Sequence, residues 1–110
     1  AIDCTLSREN GQAYYHPTDD RVNIPDSNQW RTIAGFNSTV AHECSHATGA
    51  KSRLDRLKNS IFGSADYSFE ELVAELSACF VCASFGLDFD SQNSARYLNN
   101  WKTTTCNDIF

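Results

Sequence analysis

The sequence lacks any long apolar run, so we expect no transmembrane helix. No eighteen consecutive residues of the 110 are apolar, whereas a transmembrane helix needs about 20. The first residues also lack the basic segment and apolar core of a signal peptide. We therefore predict a cytoplasmic protein with no membrane partner. Because the chain begins with Ala1 rather than methionine, we expect an excised or processed piece of a longer protein.

Basic residues are few and scattered, which argues against nucleic acid as a partner. Nine Lys and Arg residues stand against fourteen Asp and Glu residues, and the formal net charge is −5. The densest basic run, KSRLDRLK at residues 51–58, is typical of a solvated surface loop. Nucleic-acid binding needs several clustered phosphate contacts. We therefore expect this chain itself to bind no nucleic acid.

A disulfide framework is also missing. The five cysteines are odd in number and irregularly spaced, whereas small secreted scaffolds usually carry even sets. Cys79 and Cys82 form a C-x-x-C pair, but no second pair or redox-type strand–turn–helix context accompanies it. We interpret the cysteines as reduced, mostly buried thiols of a cytosolic protein.

The turn residues and the apolar pattern predict one small α+β domain with a short sheet or hairpin. Alternation in residues 1–6 indicates a strand. Two β-favouring runs, 13–16 and 21–24, flank the turn residues of a hairpin. A helical turn, broken at Gly35, is expected to follow it.

About three helices complete the predicted domain. Apolar stripes predict helices over residues 38–48, over residues 69–86, and from residue 91 onward. N-cap candidates for the first helix lie at 37–39, and Gly49 is a natural residue to end it. Ser68 is the predicted cap of the second helix. Residues 50–67 are expected to form a loop with a short extended piece near SIFG.

The stretch AHECSHATG carries the strongest chemical signal. His42 and His46 lie four residues apart on the first predicted helix and therefore point the same way. Their imidazole nitrogens can meet one zinc ion at about 2.0–2.1 Å. Glu43 lies about 100° round the helix, where it can reach a water held by the metal. This is the general-base position of the H-E-x-x-H metallopeptidases.

A catalytic zinc site needs a third protein ligand, and the second predicted helix offers two candidates. This helix is apolar almost all round and is expected to be central, yet it carries Glu71 and Glu75 on one side. We predict Glu71 as the ligand, with Glu75 accepting a hydrogen bond from a ligating imidazole. Spacing alone leaves the swapped assignment open, and an ion pair of either glutamate with Arg53 or Arg56 is the alternative. Glu70 points elsewhere and is expected to be solvated.

The ordered motifs resemble a known family. They are Tyr14-Tyr15, Asp20-Arg21, HECSHATG, KSRLDR, FGSADYSFEELVAEL and ARYLNNW. In this order they resemble the zincin-like metallopeptidase domain at the C-terminal end of ArdC-type antirestriction proteins. The same domain occurs in polyvalent proteins of phages and plasmids and in some conjugation-associated primases.

This resemblance implies a small zincin fold over residues 1–110 and a metal site on the family's motif positions. The H-E-x-x-H motif falls on His42, Glu43 and His46, and the acidic helix motif falls on Glu71 and Glu75. In the family, a domain that binds single-stranded DNA normally precedes this one. We expect no such domain within residues 1–110, in agreement with their acidic composition.

Other residues of the matching motifs receive weaker predictions. Tyr67 is a candidate stabiliser of an oxyanion, with simple packing as the alternative. Arg53, Asp55 and Arg56 are interpreted as ion-pairing residues that fix a loop.

The sequence thus predicts a zinc-dependent, gluzincin-like metallopeptidase domain that hydrolyses peptides or proteins in a mobile-element, antirestriction context. The alternative is a non-catalytic protein-binding module that keeps zinc for stability. A DNA-binding domain is the third candidate, and the charge argues against it.

Overall fold

The computed structural model of the protein describes residues 3–57 and 65–101, and it has the predicted α+β architecture. In chain order the described elements are β1 (Thr5–Ser7), β2 (Tyr14–His16), β3 (Arg21–Asn23), a 3-10 turn (Ser27–Gln29), α1 (Ile33–Thr48), α2 (Ala65–Ser84) and α3 (Ser91–Trp101). Among the described helices, none is both long and apolar enough to cross a bilayer.

The three strands form one small sheet in the order β1-β3-β2. β2 and β3 are the predicted hairpin and pair antiparallel, with Tyr15 opposite Val22. β1 pairs parallel to β3, with Leu6 opposite Val22, and it lies later in the chain than the predicted strand 1–6. Val22 is fully buried in the middle of this sheet.

A buried amide organises the connection between β1 and β2. The Oδ1 atom of Asn23 accepts hydrogen bonds from Ser7 Oγ and from the Glu9 backbone N–H, both at 2.8 Å. Its Nδ2 atom donates to the carbonyls of Glu9 at 3.1 Å and Gln12 at 2.9 Å. The side chain at the end of β3 therefore satisfies the backbone of a connection that has no strand partner of its own.

Helix α1 starts earlier than the sequence pattern predicted. Thr32 is its N-cap, and the Thr32 side chain accepts a hydrogen bond from the backbone N–H of Gly35 at 2.9 Å. The predicted break at Gly35 is therefore wrong, because this glycine lies in a capped first turn. The predicted caps at 37–39 are also wrong. Ser38 lies inside the helix, and its hydroxyl accepts a bond from the Asp90 backbone N–H at 2.7 Å, which ties α1 to the start of α3. The predicted end at Gly49 is confirmed.

Helix α2 begins at Ala65, so Ser68, its predicted cap, lies in the first turn. Helix α2 was expected to be central, and it does contact both α1 and α3, but it is not covered on all sides. Its Ala74, Ala78 and Cys82 are fully buried, but Leu76 is 43% exposed and Phe80 is 72% exposed. One face of the helix packs, because Ala78 and Cys82 lie against Ala41 of α1 and Phe89, while several large side chains of its other face are exposed. The extended piece expected near SIFG lies outside the described residues.

Two small cores hold the elements together. One lies between the sheet and α1, around Val22, Ile24 and Ala47. The other lies between α1 and α2, around Ala41, Ala78 and Cys82. The second core is built from small side chains, so the two helices can approach closely.

The cysteines only partly follow their prediction. All four cysteines of the described residues are free thiols, as expected. Cys82 is buried, Cys4 and Cys44 are half-buried, and Cys79 is exposed. Burial is therefore confirmed for Cys82 and wrong for Cys79, because Cys79 lies on the open face of α2. Cys106 lies outside the described residues.

Candidate metal centre

Helix α1 presents its two histidines side by side toward α2. Because they are four residues apart, His42 and His46 stack one turn above the other, with ring centroids 4.7 Å apart. Their Nε2 atoms lie 3.1 Å from each other. Both residues are largely buried, with side chains 9% and 12% exposed. The two imidazoles therefore converge on one point at the interface of the helices.

Helix α2 brings a carboxylate to the same point. Glu71 Oε1 lies 2.9 Å from His46 Nε2, and Glu71 Oε2 lies 3.3 Å from His42 Nε2. One donor atom from each of these three residues lies within 4.8 Å of the others. Ligand atoms of a tetrahedral zinc ion are about 3.3 Å apart. Two imidazole nitrogens and one carboxylate oxygen thus form a donor set that fits a divalent ion, while their roles as ligands stay a prediction.

The other ring nitrogens are held by two further glutamates of α2. His42 Nδ1 lies 2.8 Å from Glu75 Oε2, and His46 Nδ1 lies 2.8 Å from Glu70 Oε2. A carboxylate that accepts the Nδ1–H leaves the Nε2 lone pair directed at the convergence point. Glu75 therefore lies within hydrogen-bonding distance of the His42 ring, and its role beside a metal-ligating imidazole stays a prediction.

The prediction that Glu70 is solvated is wrong. Only 4% of Glu70 is exposed. Glu70 and Glu71 differ by about 100° around α2, but the two nitrogens of an imidazole lie on different edges of the ring. Both carboxylates can therefore reach His46 from different sides.

Arg53 and Arg56 of the predicted loop do not pair with Glu71 or Glu75; they bind Asp20 and Glu70 instead. Arg56 Nε donates to Glu70 Oε1 at 2.8 Å, and Arg53 binds Asp20 with both terminal nitrogens, at 2.9 and 2.8 Å. The alternative that paired them with Glu71 or Glu75 is wrong, whereas their loop-fixing role is confirmed. The Arg-rich stretch KSRLDRLK was the signal in the sequence that could have revealed the buried carboxylate of Glu70.

The carboxylates around the two histidines stabilise positive charge on their rings. Burial alone would lower the pKa of His42, but hydrogen bonds to Glu71 and Glu75 outweigh it and raise that pKa to about 10. Burial likewise lowers the pKa of His46, but hydrogen bonds to Glu70 and Glu71 outweigh it and raise that pKa to about 9. The same contacts lower the pKa of Glu71 to about 2, although burial raises it. Carboxylates thus dominate the field at the convergence point, which favours a cation there.

Glu43 lies beside the convergence point and is 7% exposed. Burial raises the pKa of its carboxyl, the two histidines lower it, and the charge of Glu71 raises it further. The net direction is upward, which makes this carboxylate a better proton acceptor than one in water.

An open cavity of about 540 Å³ contains the site. Its wall combines the histidines and glutamates with residues of the hairpin, among them Tyr14, Tyr15 and Pro17. Tyr67 of α2 also lines it, and burial together with the charges of Glu71 and Glu43 raises the pKa of the Tyr67 phenol. β2 is an edge strand of the described sheet. An extended chain in the cavity would therefore run close to an edge with unpaired backbone groups.

Comparison with known proteins places this geometry in a class. A family model described as zincin-like metallopeptidase matches residues 1–109, nearly the whole chain. The chain therefore belongs to the zincin-like metallopeptidase family.

Relatives of known structure specify the group further. The chain is similar to the antirestriction protein ArdC of plasmid R388, at 37% identity. The TM-score is 0.78 against its Mn(II)-bound crystal structure and 0.75 against its metal-free one. These matches cover 96% of this chain and 40% and 39% of the ArdC chains.

Two curated relatives show the same domain in longer proteins. The uncharacterized protein y4eC of Sinorhizobium fredii (strain NBRC 101917 / NGR234) is 41% identical over 91 residues. A DNA primase TraC of Escherichia coli is 36% identical over 93 residues. The alignments cover 82% and 84% of this chain, but only 30% and 9% of the relatives. The chain thus spans less than a third of the curated relatives it matches.

Proposed function

We propose that this chain is a zinc-dependent, gluzincin-like peptidase domain, with residues 1–110 forming a single unit. The convergence of His42 Nε2, His46 Nε2 and the Glu71 carboxylate beside the buried Glu43 carries this proposal. In it, His42, His46 and Glu71 hold the metal and leave one position open for water and substrate.

The identity of the metal is part of the proposal. Imidazole ligands suit zinc, whereas carboxylates suit manganese as well. The two-imidazole, one-carboxylate set is that of catalytic zinc sites, and we therefore propose Zn²⁺. The ArdC structure is described as Mn(II)-bound, so both ions belong in any binding experiment.

In the proposed reaction, each residue has one task. A bound zinc ion supplies Lewis-acid chemistry, because it acidifies a water molecule and polarises a carbonyl. Glu43 accepts the proton of the attacking water and passes it to the leaving amine. Glu75 keeps the His42 ring oriented through its Nδ1–H. The Tyr67 hydroxyl lines the same cavity and is the candidate donor to the developing oxyanion.

The substrate class follows from the cavity wall. The edge strand β2 and the turn after it border the site. An extended peptide could add to this edge through backbone hydrogen bonds, which would carry its scissile bond past Glu43. We therefore propose a peptide or protein substrate. The cytoplasm is the proposed location, because the sequence pattern predicted it. The net charge of −5 and the scattered basic residues of the sequence argue against nucleic acid as the substrate.

The biological setting is proposed from the relatives. Similarity to an antirestriction protein and to proteins called DNA primases supports a mobile-element context. The chain covers only part of each relative, so the activities of those whole proteins are not assigned to it.

A matched pair of proteins tests the chemistry. Glu43→Gln keeps the size of the side chain but removes its ability to accept a proton. We expect the variant to bind zinc and melt like the wild type, while peptide cleavage falls by about 10²–10⁴-fold. Glu9→Gln, at an exposed glutamate outside the cavity wall, is the control and should cleave normally. Normal cleavage by Glu43→Gln would remove Glu43 from the mechanism.

One observation favours the second candidate function, a non-catalytic protein-binding module. Helix α2 exposes several large apolar side chains, namely Phe69, Leu76, Phe80 and Val81. Exposed apolar patches of this kind often mark protein contacts. If the zinc-loaded wild type cleaves no peptide library while Phe80→Ser abolishes binding to a protein partner, the module reading replaces the peptidase.

A further inference from the structure

Arg56 makes more contacts than a loop-fixing ion pair requires. Its Nη1 donates to Thr48 Oγ1 at 3.1 Å, and its Nη2 donates to the Ser45 carbonyl at 3.0 Å. Its Nε and Nη2 also donate to the two oxygens of Glu70, at 2.8 and 3.1 Å. The guanidinium thus joins the last turn of α1 to α2, and its planar fork fixes the Glu70 carboxylate in one orientation.

Glu70 passes this orientation on to His46. Its Oε2 atom is shared, because it faces both Arg56 Nη2 and His46 Nδ1. The His46 ring is therefore positioned by a carboxylate that is itself held by two charge-assisted bonds. The side chain of Glu70 is 6% exposed, so water competes little for these bonds.

The other imidazole is held differently. Glu75 Oε2 faces His42 Nδ1 at 2.8 Å, but Glu75 Oε1 has no hydrogen-bond partner among the described residues. Its side chain is 2% exposed, so burial, packing and the contact with His42 hold it, without an arginine of the described residues behind it. The carboxylate that contacts His46 is therefore held by an arginine, whereas among the described residues the carboxylate that contacts His42 is not.

Gly49 leaves the space that Arg56 occupies. A Cβ atom at this position would lie 3.0 Å from Arg56 Nη2, 3.1 Å from Arg56 Cζ and 3.1 Å from Leu57 Cγ. The backbone of Gly49 has a φ of −84°, which other residues also adopt. Glycine therefore leaves room here for the close approach of the guanidinium, whereas its backbone conformation does not call for glycine.

We propose that Arg56 and Glu70 are positioning residues that fix the orientation of the His46 ring for metal binding. In this proposal, the missing side chain of Gly49 leaves the space that the Arg56 guanidinium occupies. The inference rests on the proposed metal site but not on peptide cleavage. It predicts that substitutions at positions 49, 56 and 70 weaken metal binding by altering the position of His46, although none of these residues is a proposed metal ligand.

Metal affinity tests whether Arg56 and Glu70 act on the metal through His46, an arrangement we call the relay. Zn²⁺ and Mn²⁺ dissociation constants would be determined by chelator competition for the wild type, Glu70→Gln, Arg56→Ala, Arg56→Lys and Gly49→Ala. We expect Glu70→Gln and Arg56→Ala to weaken binding by about 10–100-fold, the usual cost of losing an outer partner of a ligating histidine. Arg56→Lys keeps the charge but loses the fork, so it should restore only part of the affinity. Gly49→Ala should also weaken binding.

Two matched controls separate positioning from general destabilisation. Asp66→Asn makes a similar charge change at an exposed site in the first turn of α2, and it should leave metal affinity unchanged. Gly35→Ala crowds Thr32 Oγ1 at 3.1 Å, so it should lower Tm through the α1 cap without changing metal affinity. The absorption spectrum of the Co²⁺-loaded protein gives a second readout, since the relay variants should alter it and the controls should not.

The outcomes are distinct. Wild-type affinity and an unchanged Co²⁺ spectrum in Glu70→Gln and Arg56→Ala, with His46→Ala still losing the metal, would overturn the relay and leave the metal site standing. Failure of the wild type to bind either ion would overturn the proposed function and the relay together. A lower Tm without any change in affinity would reduce Arg56 to a structural ion pair and so overturn the relay.

Discussion

Arg53 and Arg56 lie three residues apart in one connection, and they make parallel arrangements with different consequences. Each grips a carboxylate with two nitrogens and also donates to a carbonyl near the end of α1, that of Ala47 or that of Ser45. Arg53 holds Asp20 in the hairpin turn, whereas Arg56 holds Glu70 behind the metal centre. One motif thus anchors α1 to the sheet on one side and to α2 on the other.

The difference lies in what each carboxylate touches next. Asp20 accepts a hydrogen bond from the Tyr15 hydroxyl at 2.8 Å, so its network ends in the hairpin. Glu70 faces an imidazole of the site. A similar arginine–carboxylate contact therefore serves the fold in one place and the proposed metal chemistry in the other. Experiments that read stability and metal binding separately can separate the two sides of α1.

The largest effect is expected from His46→Ala on the site side. It removes a proposed ligand and leaves Glu70 and Glu71 without their shared partner. We expect zinc, about one ion per chain in the wild type, to be lost, with affinity falling by more than about 100-fold. The Tm measured with zinc should fall too, because binding energy is coupled to folding. His16→Ala, at an exposed histidine of β2, should keep its zinc. Full metal occupancy in His46→Ala would refute the site.

The next largest effect distinguishes the two glutamates on one face of α2. Glu71→Gln should weaken zinc binding more than Glu75→Gln, because Glu71 meets both Nε2 atoms while Glu75 meets only the Nδ1 of His42. The loss at Glu75 should be about 10–100-fold. Titrating both variants against one chelator gives the comparison directly. The reverse ranking would assign the ligand role to Glu75.

A smaller effect, on stability alone, is expected from Arg53→Ala on the sheet side. The change removes the bidentate contact with Asp20 and the bond to the Ala47 carbonyl. We expect a lower Tm and an unchanged zinc dissociation constant, the opposite of the pattern expected for Arg56→Ala. Denaturation of the metal-free protein together with zinc titration measures both. A marked loss of zinc affinity would show that the two sides of α1 are coupled.

The smallest effect concerns acid. Hydrogen bonds from Arg53 and Tyr15 lower the pKa of Asp20 from 3.8 to about 2. Because the folded-state pKa lies below the unfolded one, the stability from this group is present above about pH 4 and is lost as the pH falls toward 2. Asp20→Asn should therefore be less stable than the wild type at pH 6, and the gap should narrow below pH 4. A gap that is constant from pH 6 to pH 2.5 would contradict the assignment.

The parts of the site that follow from one helix were predictable. The four-residue spacing of His42 and His46 fixes their common direction whatever the tertiary fold. Glu71 could be proposed because a carboxylate on an apolar helix needs a partner. Glu70 was missed because its burial depends on which edge of the His46 ring faces α2. That is a property of helix packing, and sequence spacing does not contain it.

The fold shows the same division. The hairpin was predicted because turn residues and β-favouring runs act locally. The start of α1 was not, because Gly35 indicates a break unless the cap at Thr32 is known to satisfy its N–H. The open face of α2 was also missed, since an apolar sequence cannot tell which of its faces another element covers.

The four hydrogen bonds of Asn23 have a consequence for the chemical lifetime of the protein. Its amide uses its oxygen toward two donors and its nitrogen toward two carbonyls, so the two ends are not interchangeable. Spontaneous hydrolysis of this amide to a carboxylate would turn the nitrogen end into an acceptor facing the carbonyls of Glu9 and Gln12. Burial of the side chain, which is 1% exposed, keeps water from the amide while the sheet is intact. Each opening of the sheet therefore exposes the Asn23 amide to hydrolysis, and the resulting carboxylate could no longer donate to the carbonyls of Glu9 and Gln12.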